Sequence, residues 1–559
     1  LSDPTLESRR EIAGLAGSAL VSLATVVLLL ATSPDFGMVW DEGYTVRRVR
    51  LLDRWMDVII APAEPGLRQA ALAKPTLDRF WLFSREEPHG HPPFYAWIGV
   101  AGWKLGQSWS PPLEAYRLGP ILLTGLTAGV IFRHLSRRKG LLIGFVASAL
   151  LVLMPRTFAH AHYAHYDMPM TCLWLLTQVA FVASLQSPRW AVGFGMALGL
   201  AAGTKFTGWF AVVPPASWVA LVETRQSFGE RVGLRTLSVG LPIAVLMLYV
   251  IQPPWWFEPW SGPARFLASN LSRARTQPLA TLYLGRVYDF ALPWHNTIVL
   301  TAVTSPVLVL ALGITGATVC VARRKREPWA MIWPLSWVTL MIIRALPSAP
   351  GHDGIRLILP SIASLAILAA LGLAWVRERF RETRWRWLAP FLAAVAIGEC
   401  LVGIARTYPY TDSYYNVAFG GLPGAERSGL ELTYYWETAG SELFQWAAGE
   451  ARGGQVTLAF AMDDTVHNLL REWGKIPHNV RIVDLNSPAV GKPLRPDFFV
   501  LQRRRGLYYP SDAWLDRQGH PVFTIRREGV DLLRVYTAAE DREAFERTRR
   551  IPVPSHLRR

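Results

Sequence analysis

Residues 12–44 read IAGLAGSALVSLATVVLLLATSPDFGMVWDEGY: an apolar run from Ile12 to Ala31 and, a few residues later, two adjacent carboxylates, Asp41 and Glu42. A run of about 20 apolar residues crosses the hydrocarbon core of a bilayer as a helix. It lacks a small-residue cleavage site before Trp40-Asp41-Glu42, so it reads as a retained span and not as a cleavable signal peptide. An acidic pair just outside a span is costly to hold near hydrocarbon unless it has a task. The bland alternative is a solvated helix start after Trp40.

Working outward, the 559 residues are 51% hydrophobic and include 24 Trp, and long apolar runs recur. Backbone groups in lipid must be satisfied internally, so the runs are helices. Spans are expected near 12–32, 117–133, 141–155, 168–186, 190–204, 206–222, 236–252, 296–322, 328–345, 357–376 and 387–405, roughly eleven crossings. The net charge of +16 raises nucleic acid as a partner, but the basic clusters lie between the runs. They are Arg9-Arg10, Arg133 to Lys139, Arg225 to Arg235, Arg323 to Arg326 and Arg377 to Arg386, which the positive-inside rule assigns to the cytoplasm. The N-terminus then lies inside and the C-terminus outside, with no nucleic-acid role. Segment 92–106 is apolar but short, and counting it as a span would put Arg133 to Lys139 outside; it reads as an interfacial or re-entrant helix. Cys172, Cys320 and Cys400 all fall in expected spans, so the outer regions carry no disulfide framework, which fits a bacterial inner membrane.

The chain divides into a transmembrane domain, 1–406, an outer α/β domain, 407–540, and a basic tail, 541–559. Within the first, 34–108 forms the first outer loop and 253–295 a later one. Short strand-like runs mark the second: 456–461, 480–484, 497–501, 521–525 and 530–536, the last two flanking the hairpin signal Arg526-Arg-Glu-Gly529. Their alternation with a helix-like stretch, 465–473, suggests a small α/β fold.

No phosphate-binding glycine loop and no dinucleotide fingerprint is present. What the outer face offers is acid, histidine and arginine: Asp41, Glu42, His89, His91, His160, His162, His165, Asp167, His295, His352 and Asp353, with Arg47, Arg48, Arg156, Arg265, Arg273, Arg275, Arg286 and Arg356. Carboxylates beside arginines suit a reaction in which a hydroxyl or amine loses a proton while a phosphate leaves. Each element has a plainer reading. His91-Pro92-Pro93 can be a turn into a helix, Asp167 before Met168-Pro169 a helix N-cap, and Lys205 or Arg356 a snorkelling side chain. His160, His162 and His165 have spacings that could hold a divalent metal, the one candidate cofactor, although histidines in an aromatic loop more often make hydrogen bonds.

The order of these elements resembles the membrane-embedded glycosyltransferases that use polyprenyl-phosphate sugars, the protein O-mannosyltransferases and lipid A aminoarabinose transferases with the GT-C fold. The resemblance runs over roughly residues 10–375: Asp41-Glu42 after the first span, His91-Pro-Pro, Arg117-Leu-x-Pro120, Asp167 before an apolar run, and Gly203-Thr-Lys205. It implies a many-helix fold with a cavity on the outer face, a polyprenyl-phosphate sugar donor, and inverting transfer to a lipid, glycan or protein acceptor. On this resemblance Asp41 is the catalytic carboxylate, Glu42 its acidic neighbour and Asp167 a second acidic position. His91, Tyr44, Arg47, Lys205, Arg265 and Arg356 are the expected substrate-binding residues. His91 is similar to the mannosyltransferases, since aminoarabinose transferases carry Lys there. Gly90 and Tyr44 stand where the latter carry Glu and Arg, with Glu86, Glu87, Arg47 and Arg48 nearby, which weakens a metal or a lipid A acceptor. A transporter of lipid-linked sugar is the alternative; it is expected to show charges inside spans and internal repeats, whereas here the candidate acidic residues sit in the outer loops and no repeat is visible.

Overall fold

A computed structural model describes residues 4–81, 91–223, 230–272, 279–462, 464–484 and 496–538. Glu86, Glu87, His89, Gly90, Arg273, Arg275, part of the 225–235 cluster and the tail 541–559 lie outside the described residues.

The chain is mostly helical. Every expected span coincides with helix: Pro4–Thr32, Pro112–Lys139, Leu141–Leu153, Asp167–Ser184, Trp190–Ala202, Val213–Val222, Val232–Ile251, Val307–Ala322, Ile332–Arg344, Leu359–Phe380 and Leu388–Thr407. Among the described residues, five stretches, Glu11–Asp35, Pro112–Lys139, Val232–Ile251, Arg356–Phe380 and Leu388–Thr407, are long and apolar enough to cross a bilayer. A sixth is counted if Leu141–Leu153 and Pro155–His162, bent by 68°, form one span. The bend falls at Pro155, whose missing N–H and ring interrupt a helical ladder. The Phe94–Gly106 helix is about 20 Å long at 1.5 Å per residue, shorter than the hydrocarbon core.

One expected span is two helices. Residues 296–322 divide into Asn296–Thr304 and Val307–Ala322, parted at Ser305-Pro306. The freed backbone groups find side-chain partners, as they must away from water. Glu399 accepts the N–H groups of Val307 (2.5 Å) and Leu308 (2.9 Å), and the Asn416 amide donates to the carbonyls of Ala302 (2.6 Å) and Ser305 (2.8 Å).

At the centre stands Leu359–Phe380, whose apolar stretch is wholly buried. It meets Val307–Ala322 at close range, because a Cβ on Gly316 would run into the Leu368 carbonyl and one on Gly372 into that of Leu312. Small residues that let helix backbones touch are the usual device where lipid supplies no hydrophobic drive.

The segment between the first two spans is itself helical, as Trp40–Ile60, Leu67–Ala71 and Lys74–Phe80. Residues 456–537 carry a five-stranded sheet in the order Val480–Asp484, Val456–Phe460, Phe498–Gln502, Val530–Thr537, Pro521–Arg527. The first three strands run parallel and the last two pair antiparallel. The terminal hairpin turns on Glu528 (φ 47°) and Gly529 (φ 79°), the two left-handed positions that match strand twist. The sheet's helix Asp464–Glu472 docks on Trp40–Ile60, with Arg50 forked onto Glu472 at 2.6 and 3.0 Å.

Candidate active site

The first turn of Trp40–Ile60 is set by Glu42. Its carboxylate reaches back to accept the Val39 N–H (3.0 Å), satisfying one of the donors a helix start leaves open. The same carboxylate accepts the Ala164 N–H (2.7 Å) and both forks of Arg117, each at 2.8 Å. Arg117 also donates to the carbonyls of Ser33 (2.9 Å), Phe36 (3.0 Å) and Gly37 (2.8 Å). Neither side chain has any exposed surface. Glu42 is therefore a buried clamp that ties the end of the first span to the Pro112–Lys139 helix, and not a member of the acidic group around Asp41.

Asp41 turns the other way. Its Oδ2 accepts the Tyr166 hydroxyl (2.9 Å) and a second bond from Arg356. Arg356 is the hub: Nε donates to Asp167 Oδ2 (2.6 Å), Nη1 to Asp353 Oδ2 (2.8 Å) and Nη2 to Asp41 and the Tyr166 oxygen. Lys205 donates to the other oxygen of Asp167. Asp353 is shared in turn with Arg504 (2.6 Å). Three carboxylates thus meet three cations, the pairing that buried charges require. Asp167, at the start of Asp167–Ser184, does not cap its helix, since both oxygens are taken by cations. Of the group's acids, Asp41 is the one with reach outward: its side chain is 18% exposed, against 0% for Asp167 and 4% for Asp353.

Aromatic rings wall the group. The His91 ring lies 3.8 Å from that of Tyr166, and the Lys205 and Arg356 cations each stand 5.1 Å from the Tyr166 centroid. Tyr435 covers Arg356 at 4.8 Å, inside the range of a cation–π contact. Burial pushes the Asp353 carboxyl up, but the charges of Arg504, then His352 and Arg356, prevail and hold it at about 2. Burial pulls the Lys205 ammonium down to about 8, with Asp167 resisting and Arg356 reinforcing the fall.

Of the residues expected from sequence, the fold brings together Asp41, Asp167, His91, Lys205 and Arg356. Tyr44 is half-buried beside Trp40, and Arg47 is on the exposed face of its helix. Arg265 is exposed and pairs with Glu258, without a contact to the group among the described residues. Tyr166, Tyr435 and Arg504 were not singled out. Tyr166 could have been, as the neighbour of Asp167 in a loop already rich in histidine.

A metal fits poorly. His160, His165 and Asp167 do present ligand atoms within 4.8 Å of one another. Both Asp167 oxygens are occupied, however, and His165 Nδ1 accepts the Asp167 N–H (3.0 Å). A divalent cation there would face Lys205 and Arg356. His162 lies apart, bonded to Thr32 Oγ1 and the Phe158 carbonyl, both at 2.7 Å.

No curated protein sequence matches the chain. Several solved structures are similar to it at low identity. ArnT from Cupriavidus metallidurans, bound to undecaprenyl phosphate, has 16% identity and a TM-score of 0.47 over 93% of this chain and 98% of that one. The oligosaccharyltransferase AglB of Archaeoglobus fulgidus, in complex with an inhibitory peptide and a dolichol-phosphate, has 14% identity and a TM-score of 0.47 over 84% and 64%. The Pmt1–Pmt2 protein O-mannosyltransferase of S. cerevisiae, bound to the sugar donor, has 15% identity and a TM-score of 0.32 over 49% and 39%. Residues 90–256, which hold His91, Arg117, Tyr166, Asp167 and Lys205, match the family model of dolichyl-phosphate-mannose-protein mannosyltransferase, the glycosyltransferase class that the motifs resemble.

Proposed function

We propose that the chain is an integral-membrane glycosyltransferase that moves a sugar from a polyprenyl-phosphate donor to an acceptor on the extracytoplasmic face, with inversion at the anomeric carbon. The observation that carries this reading is the convergence of Asp41, Asp167, Lys205 and Arg356 from separate stretches of chain into one ion-pair network in which Asp41 is the partly open acid. The family match over 90–256 supports the class of donor.

In this reading the prenyl chain lies in the bilayer and the phosphate meets Lys205 and Arg356. Lys205 has three N–H donors, one of them committed to Asp167, and charge-assisted bonds to phosphate are the strong kind. Asp167 acts as the fixed counter-charge that keeps both cations in place. Asp41 accepts the proton of the acceptor hydroxyl or amine as it attacks the anomeric carbon. The bond to the phosphate oxygen breaks, its electron pair stays on the phosphate, and the cations stabilise that charge. Direct attack from the opposite face inverts the centre. The N-terminus and the basic clusters lie on the cytoplasmic side of a bacterial inner membrane, with the five-stranded sheet outside.

The test is direct. Purified protein in bilayers, given a synthetic prenyl-phosphate sugar and a mixture of candidate acceptors, releases prenyl phosphate. Passage of the intact donor across vesicles without cleavage would establish the transporter reading in its place.

A further inference from the structure

The five-stranded sheet ends one of its strands against the charged group. Phe498–Gln502 pairs with strands on both sides, and the next residue is still pinned, Arg503 N–H to the Leu532 carbonyl at 2.9 Å. Arg504 is the first residue free of the ladder, and it is buried. Its guanidinium grips one group that binds Arg356 and one that adjoins a residue covering it. One is the Asp353 carboxylate, whose Oδ1 it holds at 2.6 Å while Oδ2 holds Arg356 at 2.8 Å. The other is the Tyr434 carbonyl, one residue from the Tyr435 ring that covers Arg356. The Arg504 guanidinium also lies 5.2 Å from the Trp436 ring.

Both gripped segments need holding. Asp353 has φ 62° and Trp436 φ 64°, left-handed conformations that L side chains rarely adopt and keep only when their surroundings over-determine them. Asp353 is followed by Gly354 at φ 61°, where a Cβ would lie 2.9 Å from Arg156 and 3.0 Å from Tyr434, so this turn is packed as well as strained. Around Trp436 the backbone is tied by Glu437, which accepts the N–H groups of Tyr434 (3.2 Å) and Tyr435 (2.6 Å), and by the Trp40 N–H on the Tyr435 carbonyl (3.2 Å). Trp40 is the residue before Asp41. The sheet and the 353–356 turn therefore meet at the Arg504 guanidinium, and the start of Trp40–Ile60 joins them through the Tyr434–Trp436 segment.

We infer that Arg504 is a positioning residue: through Asp353 and the Tyr434–Trp436 segment it orients Arg356 so that this arginine can span Asp41 and Asp167 and receive the donor phosphate. This rests on the sugar-transfer reading and assigns the outer sheet a part in the reaction. Arg504 touches neither Asp41 nor Asp167 and acts through Arg356. Its charge also balances Asp353, so that the Arg356 charge is left for Asp41, Asp167 and phosphate.

The experiment uses the full chain and a short-chain prenyl phosphate as probe, with affinity and donor cleavage measured in parallel. Arg504→Met weakens prenyl phosphate binding by tenfold or more and slows cleavage, and Arg504→Lys restores part of both. Arg356→Met weakens binding further, and adding Arg504→Met to it has no additional effect, because the route through Arg356 is already cut. A merely structural Arg504 would lower the thermal transition and weaken binding equally in both backgrounds, and that result overturns the inference. So does wild-type affinity in Arg504→Met. If the wild-type protein itself neither binds prenyl phosphate nor cleaves the donor, it is the sugar-transfer reading that falls, and the inference with it.

Discussion

Consecutive side chains leave an α-helix about 100° apart, and on the first turn of Trp40–Ile60 that rotation sends two carboxylates to different tasks. Glu42 enters a sealed clamp with Arg117, and Asp41 enters the open group with Arg356. Removing one member of a buried pair strands the other charge, at a cost of about 3–5 kcal/mol. Glu42→Gln and Arg117→Met are therefore expected to lower the thermal transition in detergent steeply, while Asp41→Asn leaves it near the wild-type value. A catalytic Glu42 would show the reverse, lost cleavage in a protein of normal stability. Lys205 gives a second prediction. With its ammonium held at about 8, it is charged below that pH and loses its proton above it. Donor cleavage is expected to fall as pH rises through about 8, and Lys205→Arg, which keeps its charge, to move that fall to higher pH. An unshifted alkaline limb in Lys205→Arg would assign the fall to another group.

At the scale of elements, the break at Ser305-Pro306 draws in the stretch after Leu388–Thr407. Asn416 plugs the broken helix, and a few residues earlier Asp412 is buried beside His160 at 3.6 Å. Burial first, and the charge of Glu437 second, push the Asp412 carboxyl up to about 8. Its unfolded value is about 3.9, so between those limits the folded state binds the extra proton and stability falls as pH rises. Asp412→Asn, which needs no proton, is expected to raise the thermal transition at pH 8 and to change it little at pH 5. Equal shifts at both would mean that the carboxyl is ionised in the folded protein. The helices themselves were legible, because runs such as Leu359 to Val376 are apolar for long enough to admit no other structure in lipid. The break in 296–322 was not, since a single Pro inside an apolar run does not announce whether side chains 92 and 111 residues away stand ready to replace its hydrogen bonds.

Across the whole molecule, the group around Asp41 is built from contacts that no local pattern encodes. Arg356 and Asp41 are 315 residues apart, and Arg504 and Asp353 are 151 apart. Motif order was enough to single out Asp41, Asp167, His91 and Lys205, and position in the outer loops to single out Arg356. It did not show that Glu42 is sealed against Arg117 or that Arg265 pairs with Glu258, because both depend on which way a side chain leaves its helix. Arg504 carries no sequence signal at all; its part follows from where a strand ends. In the proposed reaction Asp41 takes the acceptor proton while Lys205 and Arg356 hold the phosphate. Single-turnover cleavage of a prenyl-phosphate sugar by wild-type protein and Asp41→Asn, with donor affinity measured alongside, separates this role from a structural one. A catalytic Asp41 is expected to show a loss of about 10²–10⁴ in the cleavage rate on this substitution, the contribution of a positioned base, with donor affinity kept within a few-fold. Cleavage by Asp41→Asn at the wild-type rate would contradict it.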